Sequence, residues 1–354
     1  MFIAVLAKIN SHPYLKLLYE HLKKQHLYIV SFDNMSDFIM NFLRCQIIHL
    51  HWIEYYIRSK RKILSLLKFF VYLASLIIFK FPMRKKIVVT LHNIIPHEKI
   101  SQRLEFLGFM LTLKLADKII VHNNYSLRVA SNLYGIQSKK FCVIPHGNFI
   151  GYYQNNLIKE SARNMLKIPL HAFAILYLGH IRDYKGVEKL IEVFHELLKI
   201  REDLYLIICG LPHNSKVIRL LQDFYNEFKE QVMLRLDYIP DKEIQVYMNA
   251  ADIGIIPYER VTTPGSLILF MSFQKPVIVP RLRPIIEILD EDGLYYLPGD
   301  NKNLSEVILR VMELGHHDLY AFSKKLFEKV KKYDWKDTAL LTKRLYFELC
   351  KELN

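Results

Sequence analysis

Residues 178–187 read Leu178-Gly179-His180-Ile181-Arg182-Asp183-Tyr184-Lys185-Gly186-Val187, an apolar run that breaks at a glycine and opens a helix-like segment. Glycine lets a backbone turn tightly and approach a ligand, and a helix start presents free N–H groups with a partial positive charge. Arg182 and Lys185 add formal charge at the same place, so the pattern predicts an anion site, with phosphate as the natural occupant. A second junction of this kind is Pro257-Tyr258-Glu259-Arg260-Val261-Thr262-Thr263-Pro264-Gly265-Ser266-Leu267. Thr263 to Ser266 supply capping and first-turn chemistry, and their amides are placed to hold a diphosphate opposite Arg182 and Lys185. Plain helix capping is the alternative.

A third group lies in the first half, where Thr90-Leu91-His92-Asn93-Ile94-Ile95-Pro96-His97-Glu98 closes an apolar run with polar and turn residues. His97 and Glu98 are candidates for acceptor contact or proton transfer, Glu98 as the acid or base. The His-x4-His-Glu spacing invites a zinc reading, but Pro96 breaks the helix on which paired ligands would share a face, so no metal is expected. Asn10, Ser11 and His12 follow the first apolar run and are further candidates for sugar or acceptor contact. His49 and His51 end another run, and His51 is given no role. His146 and Gly147 are read as shaping a turn.

Positioning these residues requires strands that alternate with helices. Apolar runs at 2–7, 27–31, 46–50, 87–91, 118–121 and 141–144 form one set, and runs at 174–178, 204–209, 232–236, 252–256, 276–279 and 294–297 a second. Longer amphipathic segments separate them, which predicts two parallel sheets with helical crossovers. At 354 residues the chain exceeds one ordinary core. The predicted organisation is an N-terminal Rossmann-like domain over 1–155, a C-terminal one over 156–335, and a final helix over 336–354 that returns to the first domain.

Charge separates the halves. Residues 1–150 hold 21 Lys and Arg against 7 Asp and Glu, whereas residues 151–354 hold 28 of each, so the net charge of +14 belongs to the first half. Such a field favours an anionic partner or marks a solvated basic face. Residues 63–79 are apolar except for Ser65, Lys68 and Ser75, and basic residues flank both ends. Two readings stay open for this stretch, within 56–86: a membrane-surface helix with snorkelling lysines, or a helix buried against the sheet. The four cysteines are scattered and read as reduced core residues. The opening run is too short for an export signal and lacks a cationic lead, which suggests a cytoplasmic protein, and the basic residues around the apolar stretch suggest a peripheral place at the inner face of the plasma membrane. No nucleic-acid motif accompanies the basic residues.

The block from Gly179 to Val187 with Leu190-Ile191-Glu192-Val193-Phe194 resembles glycosyltransferase family 4, enzymes of the two-domain GT-B fold. Ile208-Cys209-Gly210, Tyr238-Ile239-Pro240-Asp241-Lys242-Glu243-Ile244, Ala250-Ala251-Asp252-Ile253-Gly254-Ile255-Ile256-Pro257-Tyr258 and Lys275-Pro276-Val277-Ile278 continue the likeness in order. The first half agrees more loosely, at 89–93, 116–122 and 143–147. The resemblance implies an α/β protein with two Rossmann-like domains whose parallel sheets face a central cleft. It implies transfer of a sugar from a UDP- or GDP-sugar, used as substrate with no cofactor, to a saccharide or polyprenol-linked acceptor in bacterial surface polysaccharide assembly; the basic first half and the apolar stretch at 63–79 add an anionic membrane surface as the expected partner. Arg182 and Lys185 would hold the diphosphate on one side and Gly265, Ser266 and Leu267 on the other. Tyr238, Ile239 and Glu259 would lie by the base and ribose, and His92 with Asn93 over the donor sugar. Because cations and amides neutralise the leaving diphosphate, catalysis would be metal-independent. One departure is that the second of two glutamates usual in the family falls at Leu269, with Glu259 two positions before the first. That loss motivates an alternative, an inactive GT-B-like module that supports a partner enzyme.

Overall fold

The computed structural model describes residues 1–95 and 102–351. The chain divides into two compact units, Met1–Gly147 with Tyr333–Asn354, and Asn148–Lys332.

The first unit is built on six parallel strands: β1 (Phe2–Val5), β2 (Tyr28–Ser31), β3 (Ile47–His51), β4 (Lys86–Thr90), β5 (Lys118–Val121) and β6 (Phe141–Val143). Their order is β2-β1-β3-β4-β5-β6. The second unit repeats the plan with β7 (Phe173–Leu178), β8 (Leu204–Cys209), β9 (Val232–Arg235), β10 (Ile253–Ile255), β11 (Val277–Pro280) and β12 (Leu294–Tyr296), ordered β12-β11-β10-β7-β8-β9. All twelve apolar runs are strands, with ends shifted by at most two residues. Strands buried on both faces read as continuous apolar runs because helices cover each side of a parallel sheet.

The topology decides where ligands can sit. In each sheet the first strand is flanked by the second on one side and by a later strand on the other, so strand order reverses between β1 and β3, and between β7 and β10. Open α/β sheets bind ligands outside the carboxyl ends of the strands at such a switch point. The loops there are 6–12 and 52–53 in the first unit, and 179–186 and 256–264 in the second.

Buried polar anchors fix the strand ends opposite the second switch point. The Arg163 guanidinium, fully buried, donates to the Ala250 carbonyl at 2.9 Å and to Asp252 at 2.6 Å, and Asp252 also accepts the Ala174 amide at 2.7 Å. Helix Lys159–Leu166 is thereby tied to β7 and to the start of β10. In the first unit the buried Lys85 ammonium donates to the carbonyls of Phe42, Leu43 and Cys45.

Helix Lys62–Lys80 is apolar on its exposed face as well as its buried one. Its buried stripe is Ser65, Phe69, Tyr72 and Leu76, and both polar members are satisfied: Ser65 Oγ accepts the Ser59 amide at 2.9 Å, and the Tyr72 hydroxyl accepts from Thr112 at 3.1 Å. The opposite face is exposed and apolar, with Ile63 82%, Leu67 59%, Phe70 57%, Val71 58% and Ile78 49% accessible. Of the two sequence readings, burial holds for one stripe only. Three flanking or internal cations are also not free: Arg58 clamps the buried Glu105 through two bonds of 2.9 and 2.8 Å, Lys80 pairs with Asp117 at 3.0 Å, and Lys68 donates to the Arg58 carbonyl at 3.1 Å.

Candidate functional site

In the second unit, Gly179 follows β7 and the chain enters a short 3-10 turn, Asp183–Lys185, with Arg182 as its N-terminal cap residue. The helix expected at 187 follows as Val187–Leu197. Gly186 joins the two with φ 68°, and a Cβ there would be driven into the Pro257 carbonyl oxygen, so only glycine lets the lysine-bearing turn lie against the loop after β10. The Glu259 amide donates to the Tyr184 carbonyl at 3.1 Å and closes the same contact.

Lys185 consequently meets the second junction. Its ammonium lies 3.7 Å from the centroid of the Tyr258 ring, and the Tyr258 hydroxyl is 2.7 Å from Ser266 Oγ. One tyrosine ring therefore spans the distance from the cation to the first turn of helix Gly265–Ser272. Burial pulls the Lys185 ammonium down to about 8, the Tyr184 side chain opposing and Arg182 assisting that shift. A cation over an aromatic face recovers about 2 kcal/mol when desolvated, which offsets only part of the burial cost. A dianionic ligand would restore the rest.

The amide set differs from the expected one. Pro264, at φ −82° and ψ 65°, lies in an inverse γ-turn, and the Gly265 amide is spent on the Thr263 carbonyl at 2.9 Å. The amides of Ser266 and Leu267 take no backbone partner among the described residues. The Thr263 hydroxyl oxygen is buried without a hydrogen-bond partner among them. A cation, two open amides and an orphaned hydroxyl thus gather at the switch point of this sheet.

The remaining donor-side candidates are dispersed. Glu259 forms an ion pair with Lys189 at 2.8 Å. Tyr238, 61% exposed, and the buried Ile239 lie on the loop after β9, the edge strand two places from β7. Leu269 lies within helix Gly265–Ser272, where the expected carboxylate is missing.

In the first unit, the loop after β1 carries structural duties. The Ser11 hydroxyl donates to the Lys8 carbonyl at 2.6 Å, the Asn10 amide donates to Asp33, and His12 Nδ1 accepts the Tyr14 amide at 3.1 Å as the cap of helix Pro13–Lys24. The His12 ring packs on Trp52 at 4.7 Å, and Trp52 stacks on His92 at 4.3 Å with 15° between planes. Asn93 donates to Glu54, a buried carboxylate raised by desolvation. His97 and Glu98 lie outside the described residues.

Sequence reasoning missed the surroundings of His92. His49 and His51, two apart on β3, share a face, and their rings lie 4.2 Å apart. The Tyr19 hydroxyl bridges them, 2.8 Å from His49 Nδ1 and 2.7 Å from His51 Nε2, and His51 Nδ1 is 3.1 Å from His92 Nε2. His122 gives its Nδ1–H to the Ile144 carbonyl at 2.9 Å, leaving Nε2 unpartnered among the described residues, with its ring 5.3 Å from that of His92. Burial pushes His122 down to about 4 and His49 and His146 to about 3, so these rings are neutral near pH 7. The alternating histidines of β3 were the available signal. Among the described residues no three His, Cys, Asp or Glu side chains are gathered to hold a metal ion.

Known proteins agree with this architecture. Residues 172–313 match the family described as Glycosyl transferases group 1. The chain is 26% identical over 285 residues to a GDP-mannose:glycolipid 4-beta-D-mannosyltransferase of Xanthomonas campestris pv. campestris, covering 80% of this chain and 74% of that one. Among solved structures it is similar to sucrose-phosphate synthase from Thermosynechococcus elongatus, with TM-score 0.74, 16% identity, and coverage of 99% of this chain and 100% of that one. It is also similar to Anabaena HepE in complex with UDP and glucose, with TM-score 0.72, 14% identity and 99% of each chain covered. The chain is a glycosyltransferase of the GT-B fold.

Proposed function

We propose that the chain transfers a sugar from a UDP- or GDP-sugar to a lipid-linked saccharide in bacterial surface polysaccharide assembly, without a metal, while bound peripherally at the cytoplasmic face of the plasma membrane. The observation that carries the donor half is Lys185 held over Tyr258 at 3.7 Å, with the Tyr258 hydroxyl bonded to Ser266 at the open-amide end of helix Gly265–Ser272. As the glycosidic bond breaks, negative charge grows on the leaving diphosphate, and preorganised donors aimed there lower the barrier. Lys185 and Arg182 supply formal charge, and the Ser266 and Leu267 amides with the Thr263 hydroxyl supply dipoles. His92 is assigned to the sugar, with Asn93 beside it.

The acceptor half rests on two supports. The Xanthomonas relative is named for action on a glycolipid. Helix Lys62–Lys80 turns its apolar side outward along about 28 Å. The exposed Lys60, Arg61 and Lys62 lie at one end and Arg84 beyond the other, which suits a helix lying in the plane of an anionic bilayer.

Incubating the full chain with UDP- and GDP-sugars and a bacterial lipid extract, followed by mass spectrometry, tests the reading. A glycosylated lipid and free nucleoside diphosphate are expected, both lost in Lys185→Ala. Leu269 at the carboxylate position favours a second reading, a module that binds donor without transfer; binding with no turnover on any acceptor would establish it.

A further inference from the structure

We propose that His51 is a positioning residue, the link through which Tyr19, His49 and Thr90 fix the ring plane and the proton position of His92. The inference rests on the assignment of His92 to the sugar and names what holds it there.

The chain of contacts is continuous. Thr90 Oγ1 lies 2.8 Å from His49 Nε2, His49 Nδ1 lies 2.8 Å from the Tyr19 hydroxyl, that hydroxyl lies 2.7 Å from His51 Nε2, and His51 Nδ1 lies 3.1 Å from His92 Nε2. Thr90, His49, His51 and Tyr19 are each at most 1% exposed, so water cannot substitute for a link. Three elements build the chain: β3 supplies both internal histidines, β4 supplies Thr90, and helix Pro13–Lys24 supplies Tyr19.

A neutral imidazole has one donor nitrogen and one acceptor nitrogen, so the bond at His51 Nε2 sets the bond at its Nδ1, and with it the proton of His92. Burial holds His49, His51 and His92 neutral. In one direction Thr90 donates to His49, His49 to Tyr19, Tyr19 to His51 and His51 to His92. His92 then carries its proton on Nδ1. The reverse direction places that proton on Nε2.

Tyr346 closes the cluster. Its hydroxyl lies 2.6 Å from the same His49 Nδ1 that meets Tyr19, and the two tyrosine hydroxyls also interact. In either direction His51 Nδ1 engages His92 Nε2 and holds one tautomer, leaving His92 Nδ1 to face the sugar. The Trp52 stack holds the ring plane.

The test compares His51→Asn, whose amide N–H occupies the place of Nδ1–H, with His51→Leu, which removes both ring nitrogens. Turnover is followed as nucleoside diphosphate released from GDP-mannose and UDP-glucose by the full chain, and the His92 tautomer is read from its imidazole 15N shifts, assigned by their loss in His92→Gln. Partners that fix a ring tautomer elsewhere are worth roughly 10–100-fold. His51→Leu should lower kcat by that order with donor KM nearly unchanged, and His51→Asn should restore most of it. The wild type and His51→Asn should show His92 in one and the same tautomer, and His51→Leu a mixture. Tyr19→Phe breaks the same chain one link away and should give the same mixture, which keeps the test decisive if His51→Leu does not fold. Equal kcat in His51→Leu and wild type, or a mixture of His92 tautomers in the wild type, would overturn the proposal. Unchanged turnover in His92→Gln would instead remove the sugar role of His92, while the 15N pattern would still judge the relay.

Discussion

Raising the pH from 7 to 9 should weaken binding of a nucleotide sugar about tenfold, and Lys185 should be the reason. Burial holds its ammonium at about 8. A diphosphate beside it favours the charged form, so the pKa rises on binding and the complex takes up a proton wherever the free site has lost one. The sign follows: below pH 8 the ammonium is already present and Kd is flat, and above pH 8 each unit costs close to a factor of ten until the bound-state pKa is reached. A free-site value of about 8 leaves roughly a tenth of the lysines neutral at pH 7 and nine-tenths at pH 9. Calorimetry at both pH values, in two buffers of different ionisation heat, would read the Kd ratio and the proton uptake together. Tyr258, pushed up to about 12, does not titrate in this window. Lys275, also held near 8, donates to the Ala251 carbonyl before β10 begins, at the end of the sheet away from the site. Lys185→Ala should bind weakly at both pH values with no slope. A flat wild-type Kd, or an equal slope in Lys185→Ala, would refute the argument.

Gly186→Ala should cost on the order of 1–3 kcal/mol, since it forces alanine to positive φ and into the Pro257 carbonyl; donor affinity and melting temperature should fall together. Lys185→Ala and Arg182→Ala should each lower kcat by roughly two to three orders of magnitude in a donor-turnover assay, and a loss smaller than tenfold would count against the phosphate assignment. EDTA should leave turnover intact, whereas loss restored by a divalent ion would overturn metal independence. Replacing Ile63, Leu67 and Phe70 together by serine should abolish co-sedimentation with vesicles of equal phosphatidylglycerol and phosphatidylcholine while the melting temperature holds, because these side chains are exposed.

The strands were legible because each is a short apolar run bounded by turn residues and buried on both faces, as at 204–209, where prediction and structure coincide. The anion site was legible in outline, since glycine, cations and helix starts are local signals. Its geometry was not: Lys185 and Tyr258 are 73 positions apart, and only Gly186 against Pro257 brings them together. The loss of the Gly265 amide depends on ψ at Pro264, which residue type alone does not fix. The histidine relay joins β3 to Tyr346 near the other end of the chain, a pairing no spacing rule anticipates. Helix Lys62–Lys80 misleads a hydrophobicity count, because its buried stripe contains Ser65 and Tyr72 while Ile63 stands 82% exposed.

The most direct measurement is a crystal structure of the full chain with UDP or GDP bound. Pyrophosphate density between the Lys185 ammonium and the Ser266 and Leu267 amides is the predicted result. Nucleotide bound elsewhere, with that turn empty, would contradict the account.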